Sequence, residues 1–182
     1  MDELTRLFVA ARDGDRMALT EAIRASEADV WRFVAHLLGP AEADDVTQDT
    51  FLRAWRALPE FRADSTAKAW LLSIARRACA DAIRRAQRRR RIDDRAGAEL
   101  AVRGHEHASD SGLRAELDDL LGELDPDQRA AFVLTQVIGC SYAETAEVCG
   151  TRIGTVRSRV ARARAALVER LGAEDIADAD TG

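Results

Sequence analysis

Ser141-Tyr-Ala-Glu-Thr-Ala-Glu-Val-Cys-Gly-Thr-Arg-Ile-Gly-Thr-Val-Arg-Ser-Arg-Val-Ala-Arg-Ala-Arg164 is the stretch on which the fold turns. Ser141 and Glu144 stand at capping-box spacing, so the hydroxyl can cap a helix while the carboxylate reaches back to the cap. Ala143, Ala146 and Val148 give that helix an apolar side, and Cys149-Gly150 stop it. A second helix starts near Ile153. Two short helices across a tight glycine-containing turn form a helix-turn-helix, whose second helix enters the DNA major groove. Ile153, Val156, Val160, Ala163 and Leu167 fall in one narrow arc and are the expected core side. Gly154, Ser158, Ala161 and Ala165 lie opposite, flanked by Arg157 and Arg162. Small residues let the backbone approach the groove, while the flanking guanidiniums reach base edges or phosphates. Arg159 and Arg164 sit at the shoulders, where phosphate contacts are expected. A solvated Arg-rich helix on a bundle is the plain alternative. The coincidence of capping box, glycine turn, core arc and small-residue face favours the DNA-reading helix.

The charge distribution points the same way. The 182 residues carry a formal net charge of −5. Residues 76–91 hold eight arginines against Asp81 alone, and residues 152–170 hold six against Glu169. These stretches total +12, which leaves −17 on the rest. Lys68 is the only lysine. Arginine suits planar, multi-donor recognition of phosphate and base edges, and a GC-rich genome would also favour it; codon bias does not explain the clustering. Two basic surfaces on an acidic background predict two anion sites and a partner surface of another kind.

An all-α protein is expected, of two small helical domains: residues 1–91, a flexible acidic linker at 92–112, the helix-turn-helix domain at 113–172 and a frayed acidic tail at 173–182. Helices are predicted from Leu4 to Arg12, from Ala18 to Leu38, from about Asp44-Asp45 to Leu58 and from about Lys68 to Arg90. Phe51, Ala54, Trp55 and Leu58 are the expected core stripe of the third. Leu71, Ile74, Ala75, Ala78 and Ala82 are that of the fourth, with Ser73, Arg76, Arg77, Asp81, Arg84 and Arg88 opposite. Leu117, Leu120, Leu121 and Leu124 form a further stripe before Pro126 starts a helix.

Asp44-Asp-Val-Thr-Gln-Asp-Thr-Phe-Leu-Arg-Ala-Trp55, Phe61-Arg-Ala-Asp-Ser65 and Trp70-Leu-Leu-Ser-Ile-Ala75 resemble region 2 of extracytoplasmic-function (group IV, sigma-70 family) sigma factors. Leu124-Asp-Pro-Asp-Gln-Arg129, Gly139-Cys-Ser-Tyr-Ala-Glu144 and Gly154 to Arg164 resemble region 4 of the same family. Among subtypes the chain is most similar to actinobacterial C-type sigma factors, through Asp29-Val-Trp-Arg-Phe-Val-Ala35 and Val148-Cys-Gly150. The resemblance implies a subunit that directs bacterial core RNA polymerase to −35 and −10 promoter elements and helps to open the DNA.

It also implies residue roles. Asp44, Asp45, Gln48 and Asp49 would meet the β′ clamp helices of the polymerase, with the β subunit a further contact; as plain chemistry, acids there also suit a helix N-terminus. Phe61, Arg62, Asp64 and Ser65 would capture an unstacked −10 base, although Phe61 can equally be a core plug. Arg76, Arg77, Arg84 and Arg88 would neutralise the phosphates of the melted strand. At Arg77 the chain departs from the asparagine many relatives carry, which puts the details of base selection in doubt. Thr135, Ser141, Tyr142, Arg157, Ser158 and Arg162 would engage the −35 DNA. The linker would thread the polymerase cleft, its acids serving as phosphate mimics or simply as solubilising charge. Silencing by an anti-sigma factor, or by the two domains packing on each other, is the family's usual control.

No enzyme, cofactor or metal site is expected. His36, His105 and His107 and the cysteines Cys79, Cys140 and Cys149 show no zinc spacing, and no phosphate loop or nucleophile elbow is present. Cys140 and Cys149 are expected as buried thiols rather than a redox switch. The absence of a long apolar run and of a signal pattern predicts a cytoplasmic protein without membrane contact, and the resemblance implies association with the nucleoid. The alternative function is a conventional helix-turn-helix regulator with residues 1–91 as a sensing or dimerising domain; a basic melting helix beside an acidic docking face argues against it.

Overall fold

A computed structural model of the chain describes the backbone of residues 1–95 and 119–179, and the side chains of residues 1–91 and 119–171. Four helices form the N-terminal half: α1 (Glu3–Arg12), α2 (Arg16–Leu38), α3 (Pro40–Ala57) and α4 (Ala67–Arg95). Asp2 caps α1 by accepting from the Thr5 N–H at 2.9 Å and from its hydroxyl at 2.6 Å. That buried hydroxyl in turn accepts from the Ala67 N–H at 2.9 Å, so one threonine ties together the starts of α1 and α4. Asp15 caps α2 through the Met17 and Ala18 N–H groups. Gly39, at φ 90°, turns the chain into α3, whose first turn holds Pro40. The third helix therefore begins four residues before the expected Asp44, so Asp44 and Asp45 lie in its second turn and Glu42 is the acid of its first.

Val30, Phe33 and Val34 of α2 pack with Leu71, Leu72, Ala75 and Ala78 of α4, while Phe8 sits edge-on to Phe61 and Trp70. Helix α3 enters this core through Ala43, Val46, Thr47, Thr50 and Ala54. Of the stripe expected, Ala54 and Leu58 are buried and Phe51 packs against the core, whereas Trp55 turns outward, 56% exposed. Helix α4 runs on to Arg95, past the start expected for the linker; residues 96–112 of that linker, and Leu113 and Leu117, lie outside the described residues.

In the C-terminal half, residues 119–122 are helical and bury Leu120 and Leu121. Helix α5 (Pro126–Phe132) is capped by Asp125 and passes into a π turn, Val133–Val137, where the Ile138 N–H donates to the Val133 carbonyl at 3.0 Å. Gly139, at φ 75°, ends it. Helix α6 (Tyr142–Cys149) carries the complete capping box, and Gly150 leaves it in the left-handed region at φ 60°. Helix α7 (Ile153–Ala179) then buries Val156, Val160, Ala163 and Leu167 against α5 and α6. Ile153, expected in that arc, is 43% exposed. The backbone is helical through Ala179, where fraying was expected: residues 173–179 are mostly helix-forming types that extend a helix already nucleated.

The two halves share one core. Helix α6 lies against α4 and the π turn against α2, joining their apolar interiors. The left-handed turn at Gly150 and the ordinary helical Gly154 give a paired expectation, since a Cβ meets nothing within 4 Å at either. Gly150→Ala destabilises by about 1 kcal/mol through backbone conformation alone, whereas Gly154→Ala stabilises by up to about 1 kcal/mol through helix propensity. Thermal unfolding of the two variants checks the opposite signs.

Candidate nucleic-acid interface and docking face

Helix α7 presents Arg157, Ser158 and Arg162 to solvent on the face opposite its core arc. The Ser158 hydroxyl donates to the Thr155 carbonyl at 2.9 Å, leaving its lone pairs outward. Arg164 donates to Gln136 at 2.6 Å. Ser141 and Tyr142 stand exposed at the start of α6, where the Glu144 carboxylate accepts from the Ser141 N–H and hydroxyl. Thr135 is set back: half-buried, its hydroxyl donates to the Ala131 carbonyl at 2.9 Å. Of the expected −35 residues, Ser141, Tyr142, Arg157, Ser158 and Arg162 are exposed and Thr135 is half-buried.

The expected −10 residues divide. Arg77, Arg84 and Arg88 project from α4 into solvent. Arg62 and Asp64 form an exposed ion pair at 2.9 Å. Phe61 is a core plug, 4% exposed with its ring 4.7 Å from that of Trp70, so it cannot stack on a base as a free platform. It instead helps to line a cavity of about 200 Å³ with Glu60, Arg62, Asp64, Ser65 and Trp70. Ala63, at φ 56°, is the one non-glycine in the left-handed region among the described residues, and it bends this loop around the cavity.

Arg76 is not free. Its guanidinium donates to Asp127 of α5 at 2.8 Å, and the other oxygen of that carboxylate pairs with Arg159 of α7. One acid therefore holds a cation from each basic helix. Around it, Thr66 donates to Glu144 at 3.0 Å, Lys68 donates to the Ile138 carbonyl at 2.8 Å while pairing with Asp29, and Arg129 reaches the Leu37 carbonyl. Burial lowers the pKa of Arg129. Burial would raise that of Glu144, yet the Ser141 N–H and hydroxyl, Thr66 and Lys68 bring it below the usual glutamate value of 4.5.

On α3, Asp45, Gln48, Leu52 and Trp55 follow one another at three- and four-residue spacing and share an exposed face. Asp44 stands beside it, accepting the Trp31 indole N–H at 2.7 Å, and half-buried Asp49 lies 2.8 Å from Arg53. Leu52 and Trp55 are the functional candidates that core-stripe reasoning missed; their register with Asp45 and Gln48 is the signal that places them. They border an almost wholly apolar cavity of about 250 Å³ formed with Phe8, Leu19, Ile23 and Phe51. Burial pushes the Cys79 thiol up to about 12 and that of Cys140 up to about 11, so these thiols stay protonated. All three cysteines are free and buried. Among the described residues no helix is long and apolar enough to cross a membrane.

The sigma-70 region 2 model matches residues 22–89, and the sigma-70 region 4 model matches residues 114–167. The ECF RNA polymerase sigma factor SigC of Mycobacterium tuberculosis is 45% identical over 96% of this chain and 95% of its own length. The sigma factor RpoE of Bartonella quintana, solved with the anti-sigma factor NepR, is 32% identical with a TM-score of 0.71, over 85% of this chain and 96% of that one. CnrH, solved with the cytosolic domain of CnrY, is 30% identical with a TM-score of 0.73, over 94% of this chain and 99% of that one.

Asp127→Asn leaves two guanidiniums facing each other across the junction of the halves. Small-angle scattering should show a larger radius of gyration than for the wild type, with each half still helical by circular dichroism. Glu144, whose carboxyl titrates lower when folded than unfolded, contributes stability that is full above about pH 4.5 and is lost as the pH falls through its folded value. Glu144→Gln should therefore lose stability relative to wild type at pH 7, with the difference shrinking toward pH 3 in parallel melting curves.

Proposed function

The chain belongs to the extracytoplasmic-function sigma factors of RNA polymerase, and from that premise we propose which of its surfaces performs each step. As a sigma factor it directs core polymerase to −35 and −10 promoter elements and promotes DNA opening. The reading assigns region 2 to residues 1–91, the connection to 92–112, region 4 to 113–172 and an acidic tail to 173–182. The protein works by binding, without catalytic turnover or cofactor, in the cytoplasm at the nucleoid.

The observation that carries the residue assignment is the opposition of faces on α7 and α4. Each buries a continuous apolar stripe and shows arginines on the other side. Arg157, Ser158 and Arg162 engage the −35 major groove, with Ser141 and Tyr142 at phosphates and Thr135 in support. Arg77, Arg84 and Arg88 neutralise the opened −10 strand, and the small cavity above Phe61 receives an unstacked base between Arg62, Asp64 and Ser65. Asp44, Asp45, Gln48 and Asp49 bind the basic side of the β′ clamp helices. Leu52, Trp55 and the adjoining apolar cavity take an apolar side chain of the same partner, giving a charged rim around an apolar anchor. The β subunit completes the polymerase contact.

The closed junction accounts for control. Asp127 occupies Arg76 and Arg159, and α6 covers the start of α4, so the free chain keeps its DNA surfaces partly engaged with each other. Core polymerase selects the opened form by binding both halves at separate positions. An anti-sigma factor, the kind of partner with which RpoE of Bartonella quintana was solved, would select among the same forms.

Run-off transcription with bacterial core polymerase tests the whole reading: binding to duplex DNA without initiation would identify a conventional regulator instead. Arg162→Ala should weaken −35-dependent promoter binding by about tenfold, the size of a lost base contact. Arg84→Ala should slow opening more than it weakens duplex binding. Trp55→Ala should weaken core-polymerase affinity at least tenfold, as for a central anchor, without changing the melting temperature of so exposed a site. Fluorescence anisotropy and permanganate footprinting separate these effects.

A further inference from the structure

Three ion pairs along α3 and α4 join into a chain that the proposed assignments leave without a role. Arg53 of α3 approaches Asp49 at 2.8 Å through one guanidinium nitrogen and Asp81 of α4 at 2.6 Å through the other. The second oxygen of Asp81 pairs with Arg84. The order is thus acid, base, acid, base, running from the polymerase-docking helix to the DNA-facing helix. Its ends are functional candidates and its middle is not. The Asp49 oxygen facing Arg53 is buried and lacks an aligned hydrogen bond even at that distance, so Arg53 is shared unevenly in favour of Asp81. Asp81 is held below the ordinary carboxylate range first by Arg53, against the opposing pull of burial, and then by Arg84.

We infer that Arg53 and Asp81 are positioning residues that couple occupation of Asp49 by the polymerase to release of Arg84 for the DNA strand. The inference rests on the assignment of Asp49 to the docking face and of Arg84 to the −10 strand. In the free chain Asp49 draws part of the Arg53 guanidinium away from Asp81, and Asp81 keeps part of its charge on Arg84. A cation of the polymerase at Asp49 frees Arg53 to pair wholly with Asp81. The Asp81 carboxylate then holds Arg84 less strongly, and Arg84 is available to a phosphate. No bond forms or breaks; one guanidinium changes its share between two carboxylates. A lysine in place of Arg53 could not do this, since a point charge does not span both acids.

The coupling can be read in the free chain because Asp49→Asn imitates the docked state: it removes the competing charge. Affinity for fluorescein-labelled oligothymidylate, measured by anisotropy at low salt, should rise about threefold in Asp49→Asn, the size expected of a part-exposed ion-pair network. Asp45→Asn removes the same charge one turn away, outside the chain of pairs, and should give only the smaller rise due to net charge. The excess should vanish in the Asp49→Asn, Arg84→Ala double variant and in the Arg53→Lys background. A purely structural role for Arg53 would lower the melting temperature without tying the effect of Asp49 to that of Arg84. If Asp49→Asn and Asp45→Asn match, or the excess survives Arg84→Ala, the coupling is overturned while the assignments stand. If Arg84→Ala alone leaves oligothymidylate binding unchanged, or Asp49→Asn leaves core-polymerase affinity unchanged, that end assignment has failed and the coupling falls with it.

Discussion

Helix α4 must bury one side and give the other to an anion, and most of the molecule is arranged around that requirement. Leu71, Leu72, Ala75, Ala78 and Ala82 fix its inner face against α2 and α3. Burial of such a stripe is worth a few kcal/mol per large side chain, far more than any single exposed ion pair. The apolar side therefore sets the orientation, and the arginines follow as its consequence. Their mutual repulsion is accepted because each is either solvated or given a carboxylate. Arg84 has Asp81, and Arg76 has Asp127 from the other half of the chain. The same division holds on α7, where Val156, Val160 and Ala163 fix the face that leaves Arg157 and Arg162 outward.

That arrangement explains how a chain of net charge −5 can offer nucleic-acid surfaces. Its acids are not a uniform background. Some cap helices, as Asp2, Asp15 and Asp125 do. Others are placed against the arginines, and Asp127 serves both basic helices at once. A carboxylate between two guanidiniums resembles a nucleic-acid phosphate in charge and in acceptor geometry, so on the proposed reading closing the halves and binding DNA draw on the same donors. Competition between them is a property of the charges, independent of any further partner.

The helix-turn-helix was legible in the sequence because its determinants are local. Ser141 and Glu144 cap each other within one turn, and Gly150 supplies a left-handed residue that few other types accept. The face opposite Val156 and Val160 follows from helical period alone. Trp55 and Ile153 were misplaced because exposure depends on where a neighbouring helix ends or lies, which period does not contain. On α3 the core contact is made by Ala43, Val46, Thr47, Thr50 and Ala54. Such small residues carry little hydrophobic signal, whereas the tryptophan beside them carries much, so apolarity alone adds Trp55 to a stripe whose other members, Phe51, Ala54 and Leu58, do face the core. Phe61 was ambiguous for a related reason: only the aromatic contacts with Phe8 and Trp70 decide that its ring faces inward. The pairing of Arg76 with Asp127, residues 51 positions apart, was invisible to any local pattern.

The misplacement of Trp55 is itself informative. A tryptophan 56% exposed leaves more than half of its surface in water in a free monomer. Here it stands with Leu52 at the mouth of an apolar cavity and in register with Asp45 and Gln48. A face that joins exposed apolar area to ordered acids has the composition of a protein interface rather than of a nucleic-acid one, since phosphates would be repelled by it. On the proposed assignment the chain separates its partners by chemistry: arginine on α4 and α7 for DNA, acid and tryptophan on α3 for protein. Because α3 and α4 are adjacent and joined through Arg53, the surfaces proposed for protein and for DNA in the N-terminal half lie on neighbouring helices with a charged contact between them.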